Sequence, residues 1–142
     1  MIKLTEEPIE TQQALDAVAH PDAGANLLFV GTTRQWTEGC ETQALKYECY
    51  PKMAIRQMEK IRDEAMQKWD LKGVCVIHRL GVVSVGETSI AVAVSSAHRQ
   101  PAFEAGPWLL ERLKQVVPVW KQDIDPQGRQ DWVHPIDPEV AS

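Results

Sequence analysis

Apolar residues along this chain follow two periods. In "PKMAIRQMEKIRDEAMQKW", from Pro51 to Trp69, the residues Ile55, Met58, Ile61 (or Arg62), Ala65 and Trp69 recur at steps of three and four, with charged residues between them. That spacing puts one apolar stripe on a helix. Pro51 suits its first position, where the missing N–H has no partner to lose. "NLLFVGTTR" is an apolar run that meets Gly31 and ends in a polar loop, "TRQWTEGCET". "QALKYECY" alternates well enough for a second strand. "GVCVIHRLG" and "TSIAVAVSSA" read as two further strands joined through "VVSVGE", where Gly86 permits a tight connection. A short helix is expected in "ETQQALDAVAH", followed by the turn "PDAGA".

A last long helix runs around Phe103 to Val117. Pro107 lies within it and predicts either a kink or a main helix that begins at Pro107 after a short first turn. Pro118 ends the helix near Val117. "VWKQDI" and "DWV" then read as short edge strands around the turn signal "DPQG". The tail "HPIDPEVAS" is expected to be loose. Strands joined by short loops favour antiparallel pairing, so the pattern predicts an α+β fold, a mostly antiparallel sheet with packed helices. At 142 residues, one domain over 1–142 is the natural reading.

Composition narrows the function. Apolar residues make up 44% and charged residues 25%, which excludes a disordered or fibrous chain. The net charge of -5 argues against nucleic acid as the main partner. No apolar run approaches the roughly 20 residues that span a bilayer. "MIKLTEEPIETQQ" lacks the apolar core of a signal peptide, so a cytoplasmic protein is expected. Cys40, Cys49 and Cys75 are widely spaced and form no CxxC pair; with the scattered His20, His78, His98 and His134 they predict reduced thiols and no metal site.

The cations of this acidic chain stand at strand and helix ends. Arg34 follows the first apolar run. His98 and Arg99 follow "SIAVAVSS", where free N–H groups and the helix dipole favour an anion. Ser95 and Ser96 add donors there. Charge-assisted hydrogen bonds of about 1.5–3 kcal/mol each would hold a phosphorylated small molecule. The plain alternative is a Ser96 cap, a solvated Arg99 and a locally packed His98. Lys114 closes the last helix and Lys121 follows Trp120 on an extended segment. They are either two surface lysines or two amines facing one pocket, where neighbouring cations lower a lysine's pKa.

"FVGTTR", "LKYECYPKMA", "VIHRLG", "SSAHRQPAFEAG" and "LKQVVPVWKQD" follow one another in this order over about 26–133. Together they resemble the catalytic, large subunit of molybdopterin synthase. The resemblance implies an α/β-hammerhead-like fold and a sulfurtransferase of molybdenum cofactor biosynthesis. Sulfur would pass from the C-terminal Gly-Gly thiocarboxylate of a small ubiquitin-like subunit to cyclic pyranopterin monophosphate, forming the dithiolene. It also implies a homodimer within a heterotetramer and no metal or other cofactor in this step. By motif, Lys114 would be the essential catalytic residue and Lys121 its assistant. Arg34, His98 and Arg99 would hold phosphate and pterin, with Thr32, Thr33, Gln122 and Asp123 beside them. The loop "QWTEG" departs from the more polar "NHN"-like run of many relatives, Pro107 is foreign to the family helix, and the tail after Trp132 is short. The contrasting reading is a non-catalytic module that binds an anionic ligand or a ubiquitin-like partner.

Overall fold

The computed structural model describes residues 1–133. The tail "HPIDPEVAS", expected to be loose, lies outside the described residues. Ten strands and three helices follow one another in the described chain: β1 (Ile2–Thr5), α1 (Thr11–Val18), β2 (Ala25–Thr32), β3 (Trp36–Thr37), β4 (Cys40–Glu41), β5 (Ala44–Cys49), α2 (Pro51–Lys68), β6 (Leu71–Arg79), β7 (Gly81–Ser84), β8 (Thr88–Ser96), α3 (Arg99–Val116), β9 (Val119–Ile124) and β10 (Gln130–Val133). The α+β class holds, with two four-stranded sheets rather than one.

The first sheet has the order β1-β6-β8-β2. β6 and β8 pair antiparallel and carry the unbroken apolar runs, because both their faces are covered. Strand alternation sends Val74, Val76, Val92 and Val94 to one face, against Met58 and Ile61 of α2 and Leu109 and Leu113 of α3. Cys75, Ile77, Ala91 and Ala93 point to the other face, against Ala14 and Val18 of α1. α3 also packs close to β2: a Cβ on Gly106 would meet Leu27 Cδ2 at 3.0 Å. Trp69 and Trp108 meet edge to face between α2 and α3, and Trp69 Nε1 donates to Glu104 at 3.2 Å.

The second sheet has the order β10-β9-β5-β7 and is antiparallel throughout. Several expectations are corrected here. β5 does not join the sheet of β2, β6 and β8 but sits in this second sheet. β9 is an internal strand rather than an edge, flanked by β5 and β10. The stretch read as a connection, "VVSVGE", contains β7, which turns off β6 at Gly81 with φ 82°. The polar loop after Arg34 holds the β3–β4 hairpin, whose two central residues, Glu38 and Gly39, both have positive φ (51° and 81°). That is the geometry of a two-residue turn matching strand twist.

β1 was not foreseen. It pairs parallel with β6, and the Met1 ammonium donates to the Val74 carbonyl at 3.0 Å. α3 runs unbroken from Arg99 through Pro107. The proline therefore marks neither the start of the helix nor a break in it; its ring costs one backbone bond on an exposed face.

Candidate active site

Sheet alternation decides which predicted residues can meet. In β9, Lys121 lies opposite Tyr47 and Asp123 opposite Leu45, and these pairs share the face that carries the fully buried Val83 of β7. Gln122 lies opposite Lys46, on the outer face with the exposed Trp120 and Trp132. Gln122 is thus turned away from Lys121 and Asp123, although the sequence grouped all three.

Lys121 is half-buried. Burial holds its pKa below the ordinary lysine value, and the nearby cations Lys114 and Arg34 push it further down; Asp123 opposes them weakly. The end of α3, the loop after β2 and strand β9 therefore bring three predicted cations into one electrostatic neighbourhood. Among the described residues, none of Arg34, Lys114 and Lys121 forms an ion pair. Uncompensated positive charge of this kind suits an anionic ligand.

The Arg34 loop is pinned at its base. Thr33 is 3% exposed and donates its hydroxyl to the Val83 carbonyl at 3.3 Å. Its N–H donates to Glu87 O, and its carbonyl accepts from the Gly86 N–H at 2.9 Å. Thr33 is thereby an anchor for Arg34, its hydroxyl engaged inside the protein. Thr32 is exposed at the end of β2, beside a register shift between Gly31 and Thr32. Glu87, in the same corner, bonds the Ser84 N–H and the Arg79 guanidinium, and both hold its carboxyl below the usual range.

His98 and Arg99 stand elsewhere. Arg99 opens α3 and Lys114 lies in its last turn, so fifteen residues of helix separate them, about 22 Å at 1.5 Å per residue. β2 tells the same story: Ala25, at its start, pairs with Ser96, whereas Arg34 follows its other end. His98 and Arg99 are exposed and line an open depression with Gly24, Ala25, Ala97 and Gln100. The hydroxyls of Ser95 and Ser96 do not reach it: Ser95 donates to the Val18 carbonyl at 2.6 Å and Ser96 to the His98 carbonyl. No side chain caps α3, so its first N–H groups remain open to a ligand.

Two residues near the cations had no signal in the sequence. Tyr47 meets His78 edge to face at 5.0 Å, where the two sheets approach. Burial raises the Tyr47 phenol and lowers the His78 imidazole, whose Nδ1 lies 2.9 Å from the Arg79 carbonyl. Only the β5–β9 register reveals that Tyr47 faces Lys121. Among the described residues no group of three His, Cys, Asp or Glu side chains could hold a metal, and no helix is long and apolar enough to cross a membrane.

Known proteins resemble the chain in sequence and in fold. The profile described as MoaE protein matches residues 4–116. The molybdopterin synthase catalytic subunit of Bacillus subtilis is 40% identical over 131 residues, 92% of this chain and 83% of that protein. That of Thermoplasma volcanium is also 40% identical, over 92% of this chain and 96% of its own length. The crystal structure of molybdopterin synthase from Staphylococcus aureus superimposes with a TM-score of 0.87 at 35% identity, covering 92% of this chain and 95% of that one. With the cations of three separate segments gathered on a shared fold, this chain belongs to the MoaE protein family, that of the molybdopterin synthase catalytic subunits.

Proposed function

We propose that this chain transfers sulfur from the C-terminal thiocarboxylate of a small ubiquitin-like subunit to cyclic pyranopterin monophosphate, forming the dithiolene of molybdopterin. The observation that carries this reading is the unpaired convergence of Arg34, Lys114 and Lys121. An acyl thiocarboxylate and a cyclic phosphate are both anions, and sulfur transfer passes through anionic species. Cations fixed where that charge develops lower the barrier. Lys114 is exposed at the end of α3 and is the amine most open to an incoming C-terminal tail. Lys121, on an internal strand and with its ammonium disfavoured by burial and its neighbours, is suited to accept or release a proton. Asp123 sets the charge of this site; Gln122 lies on the outer face and contacts no substrate in this reading.

His98 and Arg99 form a separate anion wall at the open start of α3. A pocket that also includes Lys114 needs this wall from a second copy of the chain. The homodimer, with a small subunit on each copy, supplies one. Residues 1–142 act as one domain, in the cytoplasm, where the three cysteines stay reduced.

Reconstitution tests the reading. The purified chain, a thiocarboxylated small subunit and cyclic pyranopterin monophosphate are mixed and molybdopterin is assayed. Product from the wild type, lost with Lys114→Ala, supports it. A folded wild type that binds the small subunit without product favours a non-catalytic binding module instead.

A further inference from the structure

Asp123 lies two residues from Lys121, so the two side chains share one face of β9, yet no ion pair joins them. Its carboxylate is engaged elsewhere. Thr42, only 4% exposed, donates its hydroxyl to Asp123 Oδ2 at 2.8 Å. Thr42 is itself fixed on two sides. Its N–H donates to the Gln35 carbonyl at 2.7 Å, in the loop that carries Arg34, and the N–H of Gln43 donates to the Ile124 carbonyl at 2.8 Å. One residue thus joins the arginine loop to the lysine strand.

We infer that Thr42 is a positioning residue that withholds the Asp123 carboxylate from Lys121, keeping the lysine unpaired for its anionic substrate. A free carboxylate on that face would be drawn to the ammonium and offset its charge. Held by Thr42, it stabilises Lys121 only weakly. The groups around Lys121 are Lys114 of α3, Arg34 of the loop after β2, Asp123 of its own strand and Tyr47 of β5. Among these charged groups only Asp123 is an anion, so its position sets how far the ammonium is compensated. The inference rests on the proposed role of Lys121 in sulfur transfer, but its geometry can be tested without turnover.

The test is a pH titration of the Lys121 side chain by NMR, with lysine carbons labelled and the resonance assigned through Lys121→Arg. In Thr42→Val the midpoint of Lys121 is expected to rise, because the released carboxylate pairs with it. Thr42→Ser, which keeps the hydroxyl, is expected to titrate like the wild type. In Thr42→Val with Asp123→Asn the rise is expected to vanish, since no carboxylate remains to be released. An unchanged or lowered midpoint in Thr42→Val overturns the inference, as does a serine variant that behaves like the valine one. Should Thr42→Val not fold, Thr42→Ala lacks the same hydroxyl with less bulk and is read in the same way. In the reconstituted reaction Thr42→Val should lose about tenfold in rate at neutral pH and Thr42→Ser little. A wild type without product would refute the sulfur-transfer reading while leaving the titration to decide on Thr42.

Discussion

Arg99 and Lys114 occupy opposite ends of one unbroken helix, about 22 Å apart, too far to line a single small-molecule pocket in one chain. A composite site between two copies makes a quantitative prediction. Arg99→Ala and Lys114→Ala are each expected to be inactive alone. Mixed dimers of the two recover one intact site each, so random mixing should restore about a quarter of wild-type turnover. The check is product formation after co-refolding or co-expression of the two variants. No recovery would place both residues' work within one chain.

Lys121→Met should remove turnover and raise the melting temperature at neutral pH. Burial and neighbouring cations hold the folded pKa of Lys121 below its unfolded value. The unfolded state then binds the proton more tightly, so this group costs stability below its folded pKa. That cost fades as pH rises from the folded towards the unfolded value. Methionine keeps the aliphatic stem and removes the charge. Thermal scans at two pH values check the sign: the gain over wild type should shrink as the pH becomes alkaline. Lys114→Ala, at an exposed last-turn position, should abolish product with a change in stability of no more than about 0.5 kcal/mol.

His78 has the same sign on a different part of the scale. Burial lowers its folded pKa, and the unfolded value is about 6.5. The folded ring, edge-on to Tyr47, therefore stays neutral below that value while the unfolded chain takes up the proton, and stability is lost as pH falls from the unfolded towards the folded value. Stability should decline as pH falls below about 6.5, ahead of most carboxylates. His78→Gln should flatten that decline, as read from denaturant midpoints at each pH.

Pro107 offers a stabilising change. It lies inside α3 on an exposed position, so the carbonyl of Phe103 loses its helical donor. Pro107→Ala restores that bond and should raise unfolding free energy by about 1–3 kcal/mol, with activity unchanged. Urea unfolding monitored by circular dichroism provides the check.

Helices and central strands were legible in the sequence because burial imposes a period. The stripe from Ile55 to Trp69 and the run "SIAVAV" needed only that rule. β1 escaped because four residues with partial burial carry no period and pair with a strand more than seventy residues away. β7 and the β3–β4 hairpin escaped for the same reason, being too short to show alternation against a polar background. At the candidate site, the residue types of Arg34, Lys114 and Lys121 stood out as cations at element ends. Their meeting depends on the pairing of β5 with β9, which local spacing does not encode. The separation of His98 and Arg99 from Lys114 was, in contrast, implicit in the length of α3. The opposite facing of Gln122 and Asp123 follows from strand alternation once "VWKQDI" is read as a strand.

The pairing of β2 with β8, and of β5 with β9, also orders events during synthesis. The central sheet cannot close until residue 96 has emerged, because β8 is the strand that joins β6 to β2. Arg34 is made early, yet its companion Lys121 is positioned only when β9 docks on β5, after α3 is complete. The charge cluster therefore assembles late, with only β10 still to add, and mutually repelling cations are not brought together before the core that holds them exists.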